Sequence, residues 1–120
     1  MSLFERPFKH TELRAYAGVV PGAPDAVFAS LRTRLDTGEG QFAADPATRR
    51  IVQQGDWWYR GEYRVLPDDA GSRVEYEIVN VAQTAHLFGP LAGRDVLRAS
   101  PAAFAKLLGE LEQESDYSGT

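Results

Sequence analysis

Polar and apolar residues alternate most regularly between Gly55 and Ala82. Successive side chains of a β-strand point to opposite faces, so this alternation predicts a β-hairpin with its turn at 67–71. The inward-facing positions predicted for the two arms are Trp57, Tyr59, Tyr63 and Val65, and then Val74, Tyr76, Ile78 and Asn80. The other face carries mainly arginine and glutamate. The hairpin therefore has an aromatic face that other elements must cover and a charged face that water can solvate.

The register of this hairpin is predicted from its side-chain pairs. If Val65 lies opposite Val74, the same register produces an aromatic pair, an ion pair and one pair of like charges. These pairs are Tyr63 with Tyr76, Arg64 with Glu75, and Glu62 with Glu77. Diagonal arginines relieve the repulsion between the two glutamates, so the register costs little.

The segment before the hairpin begins with strand-like alternation and continues with helical spacing. The strand is predicted over 11–20, and Pro24 suits the first position of a helix because its missing N–H costs nothing there. The helix is predicted over 25–36. In the strand, the predicted inward residues are Leu13, Ala15, Ala17 and Val19, and the predicted outward residues are Glu12, Arg14 and Tyr16.

Two short strands are predicted between the helix and the hairpin, over 41–44 and 49–54. With the hairpin they form a four-stranded antiparallel meander over 40–82. The residues that follow, 83–98, have a mixed pattern. Ala85 to Phe88 is either a last short strand or a loop, and a short helix after it is interrupted at Gly93.

A long amphipathic helix is predicted from Ser100, which suits an N-cap, with Pro101 as its first residue. An apolar stripe at helical spacing consists of Phe104, Leu107, Leu108 and Leu111. This helix is the expected cover for the aromatic sheet face. The tail, 115–120, is expected to fray.

This order of elements resembles the SRPBCC superfamily, which includes START, Bet v 1 and polyketide cyclase/dehydrase-like proteins. The segment 20–28, VPGAPDAVF, is similar to the family's passage from first strand to first helix, and the resemblance covers about 13–114. It implies an α+β helix-grip fold, in which an antiparallel sheet wraps against a long C-terminal helix. It also implies a hydrophobic cavity between sheet and helix that holds lipids, polyketides, hormones or other apolar small molecules.

Composition limits the classes of function. A chain of 120 residues is predicted to form one domain, 1–120, with its body at about 11–114. The sequence has no cysteine and no signal-peptide-like start, so we expect a cytoplasmic protein without membrane insertion. A net charge of -4 argues against nucleic acid as a partner. The abundance of alanine and arginine is typical of a GC-rich bacterial source.

The predicted ligand site lies on the aromatic face beneath the C-terminal helix. Its candidate lining residues are Tyr59, Tyr63, Tyr76, Asn80, His86, Phe104 and Leu108. An apolar pocket with a few orienting polar groups suits an apolar or amphipathic small molecule. The aromatic row is first of all explained as core, and Asn80 either meets a ligand or water or lies at the exposed end of the sheet.

Two other functions remain open. The first is a cavity enzyme of the cyclase/dehydratase kind with His86 or a tyrosine as acid or base, although no catalytic residue is assigned because nothing in the sequence fixes a partner beside His86. The second is an interaction module or homodimer that uses Trp58, predicted on the outer sheet face. Glu75 and Glu77 are best explained as members of a solvated ladder of charges. No spacing indicates a metal or cofactor site.

Overall fold

A five-stranded antiparallel sheet forms the centre of the computed structural model, which describes residues 2–55, 57–84, 86 and 89–118, with the backbone alone for 115–118. Its strands are β1 (Thr11–Val20), β2 (Gln41–Asp45), β3 (Arg50–Gly55), β4 (Tyr59–Asp68) and β5 (Gly71–Asn80). The helices are α1 (Pro24–Leu35), the single turn α2 (Gly89–Ala92) and α3 (Arg94–Ser118). The strand order is β1-β5-β4-β3-β2, so the chain forms the predicted meander and β1 lies beside its last strand.

The hairpin of β4 and β5 has the predicted register. Val65 pairs with Val74 and Tyr63 pairs with Tyr76. The other two predicted pairs, Arg64 with Glu75 and Glu62 with Glu77, are observed as well. The two tyrosine rings stack with their centroids 4.4 Å apart and their planes 8° from parallel. On the opposite face Arg64 donates a hydrogen bond of 3.0 Å to Glu75. The predicted register is confirmed, whereas the predicted turn at 67–71 is too long, because β4 continues to Asp68 and pairs there with Gly71 of β5.

Both α1 and α3 pack on one face of the sheet, which we call the inner face, and the core lies between them. Helix α1 begins at Pro24, as predicted, and buries Val27, Phe28 and Leu31. Helix α3 contributes Leu97, Phe104 and Leu111 to the same core. The fold is therefore α+β, with a C-terminal helix packed against an antiparallel sheet.

The predicted faces of β1 are wrong beyond its third residue. Glu12 pairs with Val79 and Arg14 with Ile78, so Leu13 is an extra residue in a β-bulge. A bulge shifts the alternation by one, and Tyr16 therefore turns inward to pair with Tyr76. The residues predicted inward beyond the bulge, Ala15, Ala17 and Val19, are exposed.

The two tryptophans have exchanged their predicted positions. Trp57 is 49% exposed and Trp58 is 4% exposed, because both lie in the turn before β4 rather than in the strand. The Trp58 ring meets the edge of Tyr59 at 5.5 Å and packs tightly on Gly93. Trp58 is therefore a core residue. The prediction that it anchors an interface is wrong, and the homodimer prediction loses the residue that supported it.

Helix α3 begins at Arg94, six residues before the predicted cap, and Ser100 and Pro101 lie inside it. Proline has no N–H to donate to the carbonyl four residues earlier, which here belongs to Leu97. The Ser100 hydroxyl donates to that carbonyl at 2.7 Å instead. Ser100 was predicted to cap the helix, but its hydroxyl instead satisfies the carbonyl that Pro101 leaves without a donor, and α3 continues past the proline.

The outer face of the sheet is covered in part by the N-terminal arm, residues 2–10. Arg60, predicted on the solvated face, is fully buried beneath it. Its guanidinium donates to the carbonyls of Leu3 at 2.7 Å and Phe4 at 3.1 Å, and to Glu62 at 2.6 Å. The prediction that Arg60 is solvated is therefore wrong. The N-terminal arm that covers it has no strand or helix pattern in the sequence, so the pattern could not predict this contact.

Arg6 fastens the arm to the charged ladder. Its guanidinium donates to Glu62 at 2.8 and 2.9 Å, to Glu77 at 2.7 Å and to Glu12 at 2.8 Å. Burial acts to raise the pKa of Glu62, but hydrogen bonds from Arg6 and Arg60 outweigh it and lower that pKa. For Glu77, burial and the nearby charge of Glu12 outweigh Arg6, and the pKa is raised.

Gly93→Ala should destabilise the protein by about 1–3 kcal/mol, because its new methyl group would overlap the rigid Trp58 ring. The matched control is Gly109→Ala, where open space surrounds the new methyl and the better helix former should stabilise α3 by about 0.5–1 kcal/mol. Urea unfolding of both variants measures the difference. Equal stability of the two variants would show that the Trp58 contact has no energetic weight.

Arg6→Gln should cost about 1–2 kcal/mol at pH 7. The folded pKa of Glu62 lies below its ordinary value of 4.5, so the pairing stabilises the fold above that pH and is lost as the pH falls through the folded pKa. The unfolding free energies of variant and parent should therefore differ at pH 7 and converge at an acid pH below that folded pKa. Arg73→Gln, which removes an exposed pair with Glu75, is the control and should cost less than about 1 kcal/mol. A loss of equal size at both pH values contradicts the ionic explanation.

Candidate functional site

An open cavity of about 480 Å³ lies between α3, the end of α1 and the inner face of the sheet. We call it the inner groove. Its described lining residues are Arg34, Leu35, Tyr63, Tyr76, Val96, Ala99, Ser100, Ala103, Phe104, Lys106, Leu107 and Glu110. The positions from α3 recur every three or four residues, which is the spacing of one helix face. One side of α3 thus forms a wall of the groove along most of its length.

Stacked aromatic rings form the floor of the inner groove. The Phe104 ring lies 5.8 Å from the rings of both Tyr16 and Tyr76, and Tyr76 in turn stacks on Tyr63. Offset aromatic pairs of this kind contribute about 0.5–1.5 kcal/mol beyond the area they bury. The rings are therefore held by one another, and the floor is rigid before any molecule enters.

Hydroxyl groups are embedded in this aromatic cluster. The hydroxyls of Tyr59 and Tyr76 are 2.7 Å apart, and that of Tyr16 is 2.6 Å from the Ser100 hydroxyl. Burial, followed by the proximity of the other tyrosines, raises the pKa of Tyr59, Tyr63 and Tyr76. All three remain protonated near neutral pH. They are suited to donate hydrogen bonds and unsuited to act as bases.

Charged side chains form one end of the inner groove. The Arg34 guanidinium donates to Glu110 and Glu114, which lie on successive turns of α3. Ser30 also donates to Glu114, so α1 and α3 are joined at this end. Lys106 lines the groove beside this network. The groove therefore has an apolar length and a charged end.

Three of the predicted site residues, Tyr63, Tyr76 and Phe104, line the inner groove. Tyr59 is not one of the lining residues, and its hydroxyl lies 2.7 Å from that of Tyr76. Leu108 points to the neighbouring strand, where it packs on Gly18 of β1. The structure thus gathers the aromatic part of the predicted site and assigns Leu108 to the core.

Asn80 and His86 serve the chain itself. The Asn80 amide donates to the His86 carbonyl at 2.6 Å and accepts from the Ala82 N–H at 3.1 Å, and its side chain is 1% exposed. The His86 ring lies 2.8 Å from the Ala82 carbonyl through Nδ1 and 2.8 Å from the Thr11 hydroxyl through Nε2. A carbonyl can only accept, so Nδ1 carries the proton and Nε2 accepts from Thr11. Both residues fasten the loop after β5. The other residues of the predicted segment Ala85 to Phe88 lie outside the described part.

Several residues that line or support the inner groove were not predicted from the sequence. Tyr16 was assigned to the wrong face because the bulge at Leu13 leaves no sequence signal. Arg34 and Lys106 come from different helices, and only the packing of α1 on α3 brings them to one groove. Leu107 is the lining residue that the sequence could have indicated, because it belongs to the predicted apolar stripe of α3.

A larger cavity of about 640 Å³ lies on the outer face, above the ladder of charges on β4 and β5. Its charges are largely satisfied within the sheet, because Glu75 accepts from Arg64 at 3.0 Å and from Arg73 at 3.1 Å. The floor is a pleated strand surface between paired side chains. This arrangement fits the predicted solvated ladder better than a ligand site, and the inner groove is the stronger candidate.

Comparison with known proteins gives no relative: no family model matches the chain, and no curated protein or solved structure matches it. Among the described residues, no group of three or more His, Cys, Asp or Glu side chains is placed to hold a metal ion. None of the helices in the described part is long and apolar enough to cross a membrane. Function must therefore be inferred from the geometry of the inner groove.

Asn80→Ala should destabilise the protein by about 1–3 kcal/mol, because it leaves a partly buried carbonyl and a buried N–H without their partners. Thr84→Ala, at an exposed position in the same loop, should change stability by less than about 0.5 kcal/mol. Thermal and urea unfolding report both effects. Unchanged stability of Asn80→Ala would contradict this structural role and make the Asn80 amide a candidate for ligand binding again.

Proposed function

We propose that this protein binds an apolar or amphipathic small molecule in the inner groove. The observation that supports this most directly is an open cavity of about 480 Å³ with aromatic and aliphatic walls. The tyrosine rings of its floor are held in place by stacking on each other. Pockets for small molecules typically have volumes of about 300–1,000 Å³ and mainly apolar walls with a few polar groups. A rigid floor lowers the entropy lost on binding.

The distribution of side chains favours an elongated ligand. The apolar wall consists of Val96, Ala99, Ala103, Phe104 and Leu107 on a single face of α3. Small residues at 99 and 103 leave room beside the helix, whereas Phe104 and Leu107 give the ligand surface to cover. A molecule lying along α3 would remove Val96, now 47% exposed, from water.

We also propose that the fold is a short helix-grip fold of the SRPBCC superfamily. Two features support this: β1 lies beside the last strand of the meander, and α3 crosses the inner face of the sheet. In such an arrangement the groove between sheet and helix is the ligand cavity. A cytoplasmic location, expected from the absence of cysteine, belongs to the same proposal.

The cavity-enzyme alternative is favoured by one observation. Tyr63 and Tyr76 lie on the groove and stay protonated near neutral pH, so either can donate a proton or a hydrogen bond to a bound carbonyl. His86 is not among the described residues that line the groove, and both its ring nitrogens have partners. The alternative therefore depends on a tyrosine acid.

Ala103→Trp should weaken binding of the neutral fluorescent probe N-phenyl-1-naphthylamine by at least about tenfold, because an indole ring at this position fills the groove. The matched control is Ala102→Trp, on the same helix turn but outside the groove, which should bind within about twofold of the parent protein. A fluorescence titration measures both affinities, and unfolding curves establish that both variants are folded. Equal affinity of the two variants would place the probe elsewhere and overturn the proposed site.

A further inference from the structure

We infer that the ligand of the inner groove is an amphiphilic anion, with a single carboxylate-like head group held at the Lys106 end and an apolar body lying along α3 toward Val96. This inference rests on the proposed function and specifies its ligand class. It depends on the charges that line the groove and on their position along the helix.

One of the two positive groups on the groove has no ion-pair partner among the described residues. The charged residues among those described that line the groove are Arg34, Lys106 and Glu110. Arg34 is bonded to Glu110 and also to Glu114, which lies outside the lining, so the charge of Arg34 is satisfied. Lys106 has no ion-pair partner among the described residues, and its ammonium group stays available at the edge of the groove. The complementary ligand therefore carries one negative charge.

Arg34 adds a hydrogen-bond donor at the same end. Two of its nitrogens are bonded to Glu110 and Glu114, which fix the plane of the guanidinium. Its Nε is buried and has no hydrogen-bond partner among the described residues. Buried donors are rarely left without an acceptor. A ligand oxygen at this end of the groove would supply that acceptor.

The polarity of the groove gives the ligand a direction. From Val96 to Leu107 the apolar wall follows α3 for about 16 Å, at the helical rise of 1.5 Å per residue. Its far end, at Val96 and Ala99, carries no charged lining residue among those described. If the head group lies at Lys106, the apolar body of the ligand extends over the aromatic floor toward Val96. In that direction it covers the largest area of exposed apolar surface.

The test compares dodecanoate with dodecan-1-ol, which share a chain and differ in charge, as competitors of N-phenyl-1-naphthylamine. The parent protein should bind dodecanoate about fivefold to tenfold more tightly than the alcohol. Lys106→Met keeps the apolar stem but removes the charge, so it should abolish this preference, while Lys106→Arg should keep it. The matched control is Lys9→Met, which removes the only other lysine, located on the N-terminal arm, and should leave the preference unchanged.

The outcomes separate the two claims. If both competitors bind the parent protein equally, the ligand class is wrong while binding in the groove stands. If neither displaces the probe, or the probe does not bind, the proposed function itself is overturned. If Lys106→Met and Lys9→Met lose the preference to the same extent, net charge rather than the groove explains it, and the assignment of the head group to Lys106 fails.

Discussion

The stacked pair of Tyr63 and Tyr76 is the contact on which the rest of the molecule depends. It fixes the register of β4 and β5, and a slip of one residue would exchange the two faces of the hairpin. In the observed register the inner face receives the aromatic rings that α3 covers, and the outer face receives the glutamates that the N-terminal arm binds. The groove floor and the arm are therefore two consequences of one cross-strand pair.

The hairpin, α1 and the strand order near it were predictable because their determinants are local. Cross-strand pairs and a proline at the first position of a helix act over a few residues. The errors have the opposite origin. The bulge at Leu13, the burial of Trp58 and the burial of Arg60 each depend on a contact with a distant segment, and a pattern of alternating residues contains no information about such contacts.

The same difference between local patterns and long-range contacts explains which residues of the candidate site were predicted. Tyr63, Tyr76 and Phe104 were found because their positions follow from the period of a strand or helix. Asn80 and His86 were chosen for their chemistry, but the chain uses that chemistry to hold its own loop. A polar group on an apolar face must find a partner, and the partner is more often the protein than a ligand. The sequence identified the need for a partner and could not identify the partner.

The early start of α3 determines how long the groove is. A helix that began at Ser100 would offer Ala103, Phe104 and Leu107, whereas the observed helix adds Val96 and Ala99 at the far end. That extension must pass Pro101, and the bond from Ser100 to the Leu97 carbonyl replaces the hydrogen bond that the proline cannot make. The same Ser100 hydroxyl meets Tyr16 at the groove floor. One side chain thus connects the continuity of α3 to the β1 residue that the bulge turned inward, and the apolar length of the groove depends on both.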